Sequence, residues 1–386
     1  MYNEKDTANI TETREIKMIN QGSYGCIFKP GIKCDESSKD GMETITKIQK
    51  MNFQLENEIN IGKIISNITD YQWYFAPIIE HCEIDIHKIP KSETDKCNII
   101  KNEETSVSVF NKTFNFVSNK IRYLGNMTLD THLFKISYNI KNLNKTLIYT
   151  TKHLLTGIEK LNENKSKMVV HFDLTNNNIM YDEQNRVPII IDFGLSFEPS
   201  KLLLKPLNTV FYTTEIYPYW CVEIYFISVI VNTKSLKEQP NVKQNIVSES
   251  EINEIINTFF EKNVLFKLDI LKLEVKSLKD KYVNYFKKFI NISWKTCLDE
   301  LLFDDINHLK EHSVWDVYSL AVTYLFIIET HNFTKYSAND QTLLKSINFY
   351  KDIITENIYE RKNATIVKTE FITLHQPNKI GTVCKP

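Results

Sequence analysis

The chain has 386 residues, of which 42% are hydrophobic and 25% charged, a composition typical of a globular protein with a substantial core. Its formal net charge of −1 excludes a bulk electrostatic attraction to nucleic acid or to a membrane surface, and we expect neither as a partner. The longest apolar stretch, 219–231, contains Glu223 and is too short to span a bilayer. The polar N-terminus shows no apolar segment of the kind found in secretory signals.

Seven cysteines are scattered along the chain without a CxxC pair. An odd, unclustered set is typical of free thiols in a reducing compartment. We therefore interpret Cys26, Cys34, Cys82 and Cys221 as small buried apolar side chains. The compartment expected from this pattern is the cytoplasm.

The N-terminal third is predicted to be mainly strand with one helix. Residues 1–15 indicate a flexible leader, and residues 52–66 carry apolar side chains at helical spacing. Polar residues 87–112 indicate a loop insertion. Strand patterns, with a turn around Gly22 and Gly25 in the first, occupy four segments: 17–28, 44–48, 75–86 and 114–124.

The rest of the chain is predicted to be mainly helical. Residues 169–174 indicate a short buried strand and turn, and 179–181 with 187–191 indicate a hairpin. The last 50 residues are mixed in pattern. Apolar stripes at helical spacing occupy four segments: 146–163, 252–260, 278–289 and 315–329. These patterns predict an α+β protein with two lobes.

One constellation of polar residues carries the strongest functional signal. His171 is followed by Asp173 and then, five residues after that acid, by Asn178. A second acid, Asp192, opens an Asp-Phe-Gly triplet, and the predicted hairpin brings the two segments side by side. One carboxylate can orient an attacking hydroxyl, while an amide oxygen and a second carboxylate are hard ligands suited to Mg²⁺.

In these motifs the chain resembles the eukaryotic protein kinase superfamily over about residues 16–330. The sequence segments around Gly22 and around His171 are similar to those of protein kinases encoded by large nucleocytoplasmic DNA viruses. The resemblance implies a two-lobed fold, with a small mainly-β N-lobe carrying one key helix and a larger mainly-α C-lobe. It also implies ATP and Mg²⁺ as cofactors, a protein substrate, and the host cytoplasm or the virus particle as the place of work.

The resemblance implies these domain boundaries. The N-lobe spans 16–124 and contains the 87–112 insertion. The C-lobe spans 125–386, with a helical insertion at about 228–312 that we expect to be ordered and packed on this lobe. A tail is expected from about 370 to 386.

The resemblance also implies a phosphate-covering loop in the N-lobe. Asn20 stands where the family has a glycine, and asparagine tolerates unusual backbone angles better than most residues. Ile27 is the apolar residue expected above the adenine. The loop itself is Asn20, Gln21, Gly22, Ser23, Tyr24 and Gly25.

Lys47, in the strand Ile-Thr-Lys-Ile, corresponds to the family's lysine that holds the α- and β-phosphates. Its expected partner is a glutamate on the next helix, for which Glu58 is preferred and Glu56 is the alternative. In the C-lobe, Asp173 corresponds to the catalytic acid, while Asn178 and Asp192 correspond to the metal ligands.

Three further residues are assigned a supporting role by the resemblance. His171 is expected to be structural and Asp316 to brace the backbone of the catalytic loop. Glu223 stands where the family has Ala-Pro-Glu, and Arg361 is the candidate for its buried partner.

Two departures from the family pattern bear on regulation and substrate. Phe172 replaces the arginine that clamps a phosphate on the activation loop, which predicts activity without activation-loop phosphorylation. Thr175 replaces the lysine of serine/threonine kinases, so the choice of Ser/Thr over Tyr as acceptor rests largely on the resemblance.

The sequence therefore predicts an ATP-dependent protein kinase that acts on Ser or Thr. A catalytically weak pseudokinase scaffold stays open because of Asn20 and Thr175. A small-molecule kinase of the aminoglycoside or choline type shares the His-x-Asp and Asn pattern, although such enzymes usually lack the Asp-Phe-Gly triplet.

Overall fold

The strand and helix patterns of the sequence fold into a mixed α+β protein, with an N-terminal sheet and a mainly helical C-terminal part, so the predicted class is confirmed. Two compact units form: Met1–Lys63 with Pro77–Tyr123, and Ile64–Ala76 with Leu124–Pro386. The computed structural model describes residues 16–22, 25–32, 34, 43–101, 116–163, 167–204, 206–234, 246–272, 274–304, 313–356 and 361–376. The leader predicted at 1–15 lies outside these ranges.

The first unit is built on a five-stranded antiparallel sheet, with helix α1 at Phe53–Ile65. The predicted strand at 75–86 is in fact two strands, because Pro77 lacks the N–H that a continuous ladder would need. The five strands of this sheet are β1 Lys17–Gln21, β2 Gly25–Lys29, β3 Thr44–Lys50, β5 Ile78–Ile84 and β6 Phe116–Arg122, in the order β1-β2-β3-β6-β5, while β4 Phe75–Ala76 belongs to the second unit.

Strand register sorts the side chains of this sheet into two faces. Asn20 is opposite Ile27, Ile27 is opposite Lys47, and Lys47 is opposite Asn119. Side chains directly opposite one another in an antiparallel pair share a face, so this row lies on one side of the sheet. Helix α1 covers the same side, where its Leu55 joins a cluster of Leu55, Ile59, Ile78, Val117 and Ile121.

The other face of the sheet is covered by part of the predicted loop insertion. The described part of 87–112 contains the short helix α2, Lys91–Thr94, and a further helical turn at 98–101, so its prediction as a loop was wrong. Its apolar side chains complete a core made of Cys26, Phe28, Ile48, Ile89, Cys97, Ile100 and Phe116. The sequence concealed this core because its few apolar residues are spaced widely among polar ones.

Disulfide bonds also tie this unit together. Cys26 in β2 is bonded to Cys97 of the insertion, and Cys34 is bonded to Cys82 in β5. The expectation of free thiols was therefore wrong for these four cysteines. It was right for Cys221, which is buried and free.

The second unit contains a small sheet and ten α-helices among its described residues. Its sheet has the order β4-β8-β7, in which β7 and β8 form the predicted hairpin. Its elements are α3 Leu129–Ile136, α4 Ile140–Leu161, β7 Ile179–Asp182, β8 Val187–Ile191, α5 Val222–Thr233, α6 Glu249–Lys262, α7 Val275–Phe286, α8 Trp294–Asp299, α9 Ser313–Thr330, α10 Thr334–Ser337, α11 Gln341–Thr355 and α12 Ala364–Leu374.

Helix α4 lies at the centre of this unit, against α9, α11 and α12. Its N-cap is Asn139, whose side chain accepts from two backbone N–H groups of the first turn. Buried hydroxyls are paired across the helices: Thr151 with Tyr350 at 2.6 Å and Tyr324 with Thr150 at 2.9 Å. The last 50 residues, whose sequence pattern was mixed, contain two regular helices, α11 and α12. Helix α12 ends at Leu374, beyond residue 370, where the tail was predicted to start.

The helical insertion expected at about 228–312 is ordered where the structure describes it, and it packs on α5. The rings of Phe226 and Phe286 stack with centroids 4.0 Å apart, and Tyr225 contacts Phe259 at 5.5 Å. Helix α6 begins with a capping box between Ser248 and Glu251. Within the described ranges, no helix of either unit combines the length and apolarity needed to cross a bilayer.

Candidate functional site

Asp173 lies in the loop that connects α4 to β7, within the second unit. The prediction of a strand at 169–174 was wrong, because only Val170 pairs there, with Phe197. The remaining backbone is held by Asp316, which is fully buried and accepts from the N–H groups of His171 at 2.8 Å and Phe172 at 2.9 Å. Burial raises the pKa of Asp316 to about 7, against the effect of these two hydrogen bonds.

His171 connects the loop of Asp173 to the end of β8 through the two nitrogens of its ring. It is fully buried, its Nε2 is 3.0 Å from the carbonyl of Ile191, and its Nδ1 accepts from the N–H of Asp173 at 3.3 Å. Burial lowers the pKa of His171 to about 4, so the ring is neutral at physiological pH. A neutral, enclosed imidazole agrees with the structural role predicted for it.

The carboxylate of Asp173 receives hydrogen bonds on both oxygens. Asn178 donates from Nδ2 to Oδ2 at 2.8 Å, and the same amide donates to the carbonyl of Asp173 at 2.8 Å. The hydroxyl of Tyr217 donates to Oδ1 at 2.5 Å. The predicted proximity of Asp173 and Asn178 is therefore present.

Burial raises the pKa of Asp173 to about 6, and the negative charge of Asp192 adds to the rise. The hydrogen bonds from Tyr217 and Asn178 act in the opposite direction.

Asp192 follows β8 in an unusual backbone conformation. Its φ of 60° lies in the left-handed region, and its side chain is exposed. The next residue, Phe193, is 1% exposed and packs edge-on against the ring of His171 at 5.0 Å. A buried ring directly after a strained residue fixes where the carboxylate of Asp192 projects, and such strain is characteristic of functional sites.

Phe172 stands where the family arginine was expected and lies inside an aromatic cluster. It is 2% exposed, with a left-handed φ of 67° that is rare for a bulky residue. Its backbone carbonyl accepts from the indole N–H of Trp220 at 2.9 Å. The rings that surround it are Phe197, Phe211, Trp220 and Trp315, with centroids 4.7–5.9 Å away.

In the first unit, the expected pairing of Lys47 with Glu58 is present. Lys47 Nζ is 3.4 Å from Glu58 Oε1, and the two side chains are 14% and 5% exposed. Glu56, the alternative partner, is exposed on the outer side of α1. The register described above places Ile27 beside Lys47 on the same face of the sheet.

The glycine-containing segment forms the turn between β1 and β2. The N–H of Gly22 donates to the carbonyl of Gly25 at 2.9 Å, while Ser23 and Tyr24 lie outside the described residues. A Cβ on Gly25 would come within 2.7 Å of the Ile48 carbonyl, so close strand packing requires this glycine. Gln21 accepts from the backbone N–H of Asn98 at 3.3 Å, which joins the turn to the insertion.

The donor set around Asp173 suits a small hard cation. Within the described ranges, no group of three or more His, Cys, Asp and Glu side chains is arranged around a common point. Asn178 and Asp192 offer one amide oxygen and one carboxylate, which is the sparse protein contribution typical of Mg²⁺ that also binds phosphate oxygens.

Two residues that contact the loop of Asp173 were missed by sequence reasoning. Tyr217 contacts Asp173, and Tyr219 donates from its hydroxyl to Asn176 Oδ1 at 2.9 Å. Both lie in a run of aromatic residues just before α5, for which the sequence alone indicates only burial. Burial and the charge of Asp173 raise the pKa of Tyr219 to about 12.

Comparison with known proteins finds a distant similarity to a protein whose name places it among the protein kinases. Over 171 residues the chain is 27% identical to the probable inactive serine/threonine-protein kinase samkD of Dictyostelium discoideum. The match covers 38% of this chain and 31% of samkD, so the chain spans about a third of that relative's length. No protein-family model matches the chain. The similarity indicates a relationship to protein kinases, and samkD is itself named as inactive.

Proposed function

We propose that this protein is a two-lobed protein kinase that transfers the γ-phosphate of ATP to Ser or Thr hydroxyls of a protein substrate. The observation that carries this proposal is the arrangement of Asp173 and Asn178 on a loop braced by buried Asp316, where His171 also lies 3.0 Å from the carbonyl of Ile191, the residue before Asp192. The similarity to samkD supports the kinase relationship. We further propose the host cytoplasm or the virus particle as the place of action, on the kinase resemblance alone, since the two disulfide bonds remove the free-thiol argument for a reducing compartment.

Each residue of the second unit has a role in the proposed reaction. Asp173 accepts a hydrogen bond from the substrate hydroxyl and aligns it for attack. Asn178 and Asp192 would hold Mg²⁺, which supplies charge neutralisation for the phosphates when bound. Because the amide nitrogen of Asn178 is engaged with Asp173, its carbonyl oxygen is the atom suited to the cation.

Lys47 of the first unit would pair with the α- and β-phosphates, held in place by Glu58. The ammonium group and the carboxylate of Glu58 are both largely withdrawn from water, so each offsets part of the cost of burying the other. Asn20, Gly22 and Ile27 would contribute the turn above the phosphates and the apolar surface for the base.

We propose that activity does not depend on phosphorylation of the segment after Asp192. An arginine in place of Phe172 would need a phosphate to fix that segment, whereas Phe172 fixes it through buried rings. Ser196 is 1% exposed and donates to the carbonyl of His171 at 3.1 Å, so it is already part of the packed structure.

A pseudokinase scaffold is the second candidate. The name of samkD as a probable inactive kinase favours it, together with Asn20 and Thr175 at positions where the family has glycine and lysine. Lys47, Asp173, Asn178 and Asp192 are all retained, which favours the active enzyme.

The deciding experiment is transfer of labelled phosphate from ATP–Mg²⁺ to a generic protein substrate, followed by phosphoamino-acid analysis. Label on serine or threonine is expected for the wild type and should disappear with Asp192→Asn and with Lys47→Met, both folded by circular dichroism. Retained transfer in either variant would show that the site is elsewhere. No transfer by the wild type, with nucleotide binding intact, would favour the scaffold.

A further inference from the structure

The hydroxyl of Tyr217 is bonded directly to the residue proposed to orient the acceptor. The Tyr217 Oη to Asp173 Oδ1 distance is 2.5 Å, and the two residues are 44 positions apart in sequence. The contact therefore joins two distant segments of the chain and is not a consequence of a local turn.

The two oxygens of Asp173 have different donors. Tyr217 occupies Oδ1 and the amide of Asn178 occupies Oδ2. A single donor would let the carboxylate plane turn about the Cβ–Cγ bond, because that torsion is broad in aspartate. A second donor on the other oxygen removes this freedom, since any rotation lengthens one of the two bonds.

Tyr217 is itself held in place by its neighbours. Its ring contacts those of Tyr219 and Trp220, each with centroids 5.4 Å apart. Trp220 is 1% exposed and bonded to the Phe172 carbonyl, and Tyr219 is bonded to Asn176. The segment from Tyr217 to Trp220 is thus attached to the catalytic loop at three points.

We propose that Tyr217 is a positioning residue for phosphoryl transfer, which holds the Asp173 carboxylate in one orientation toward the acceptor hydroxyl. This role rests on the kinase function proposed above. An ionised carboxylate offers about four lone-pair sites, so Asp173 can accept from a substrate hydroxyl while Tyr217 and Asn178 stay bound. Misplacement of an orienting group reduces the rate of transfer without changing how ATP is bound.

The chain provides a matched pair of variants for the test. Tyr217→Phe removes the hydroxyl on Asp173 and keeps the ring, whereas Tyr138→Phe removes the hydroxyl of a side chain that is 85% exposed. We expect Tyr217→Phe to lower kcat for a protein substrate on the order of 10- to 100-fold, with KM for ATP and Tm close to wild type. Tyr138→Phe should stay within about twofold in kcat.

An increased kcat in Tyr217→Phe would overturn the proposal, because it would mean that the hydroxyl of Tyr217 blocks Asp173. An unchanged kcat would also overturn it, because the Tyr217 side chain would then serve only to pack the segment. A second measurement does not need activity: NMR of the tyrosine-labelled protein should show a downfield, exchange-protected hydroxyl proton that is absent in Tyr217→Phe and in Asp173→Ala. Transfer activity without this resonance would overturn the positioning role alone. The resonance without any transfer by the wild type would overturn the kinase function, and the positioning role with it.

Discussion

Arg361 and Glu223 form an ion pair that is almost fully withdrawn from water, with side chains 4% and 3% exposed. Glu223 lies in the first turn of α5, and Arg361 lies just before α12. The guanidinium also donates to the hydroxyl of Tyr282 at 2.7 Å and lies 5.0 Å from the ring centre of Tyr318. The pairing predicted from sequence is confirmed, and it joins the C-terminal part of the chain to the start of α5.

Removing one member of this pair should destabilise the second unit strongly. Arg361→Met leaves the carboxylate of Glu223 buried without its cation, and we expect a loss of about 3–5 kcal/mol in the free energy of unfolding. Urea unfolding followed by tryptophan fluorescence measures it. The exposed Arg186 supplies the control, since Arg186→Met should be nearly neutral. Adding Glu223→Gln to Arg361→Met should recover part of the loss; an undiminished stability of Arg361→Met would contradict the role of the pair.

Glu58 and Glu56, both on α1, allow the effect of a specific ion pair to be distinguished from the effect of an exposed surface charge. Glu58 contacts Lys47 and is nearly buried, whereas Glu56 is exposed. Glu58→Gln should raise KM for ATP or lower kcat/KM on the order of tenfold or more, because the ammonium of Lys47 loses its orienting charge. Glu56→Gln should leave both parameters within about twofold. Equal effects of the two substitutions on steady-state kinetics would show that Lys47 is not positioned by Glu58.

The features that sequence reasoning placed well are those fixed by short-range patterns. Asp173 and Asn178 are five residues apart on one loop, and the hairpin of β7 and β8 returns Asp192 toward them. Alternating and helical periodicities define such elements because each depends on which side chains face the core. Glu58, preferred to Glu56 from the sequence, is 4% exposed, whereas Glu56 is exposed.

The features that escaped prediction depend on contacts between distant segments. Cys26 bonds to Cys97 across 71 positions, and Tyr217 reaches Asp173 from the segment before α5. No local periodicity encodes either contact, because each requires the folded arrangement of elements that are far apart in sequence. Cysteine spacing alone likewise leaves the pairing undetermined.

The aromatic cluster around Phe172 predicts how the segment after Asp192 responds to substitution. Glutamate in place of Ser200, Thr209, Thr213 or Thr214 should change kcat by less than about twofold. The reason is that position 172 holds a phenylalanine, which cannot bind the added negative charge as an arginine would. Phe172→Ala should instead lower the free energy of unfolding by about 3–5 kcal/mol through the cavity it leaves. Chemical denaturation and a kinase assay measure these effects; a large activity gain from any of the glutamate variants would contradict the proposal.

The disulfide between Cys26 and Cys97 should stabilise the first unit measurably. Closing a loop across 71 positions restricts the unfolded chain, and loss of such a bond typically costs about 2–4 kcal/mol. Cys26→Ala and Cys97→Ala each remove the same bond, so the double variant should be little less stable than either single one. Thermal unfolding of oxidised protein tests this, and peptide mapping without reductant should recover the Cys26–Cys97 and Cys34–Cys82 cross-links. Additive losses in the double variant, or alkylation of Cys26 in the oxidised protein, would show that the bond does not form in solution.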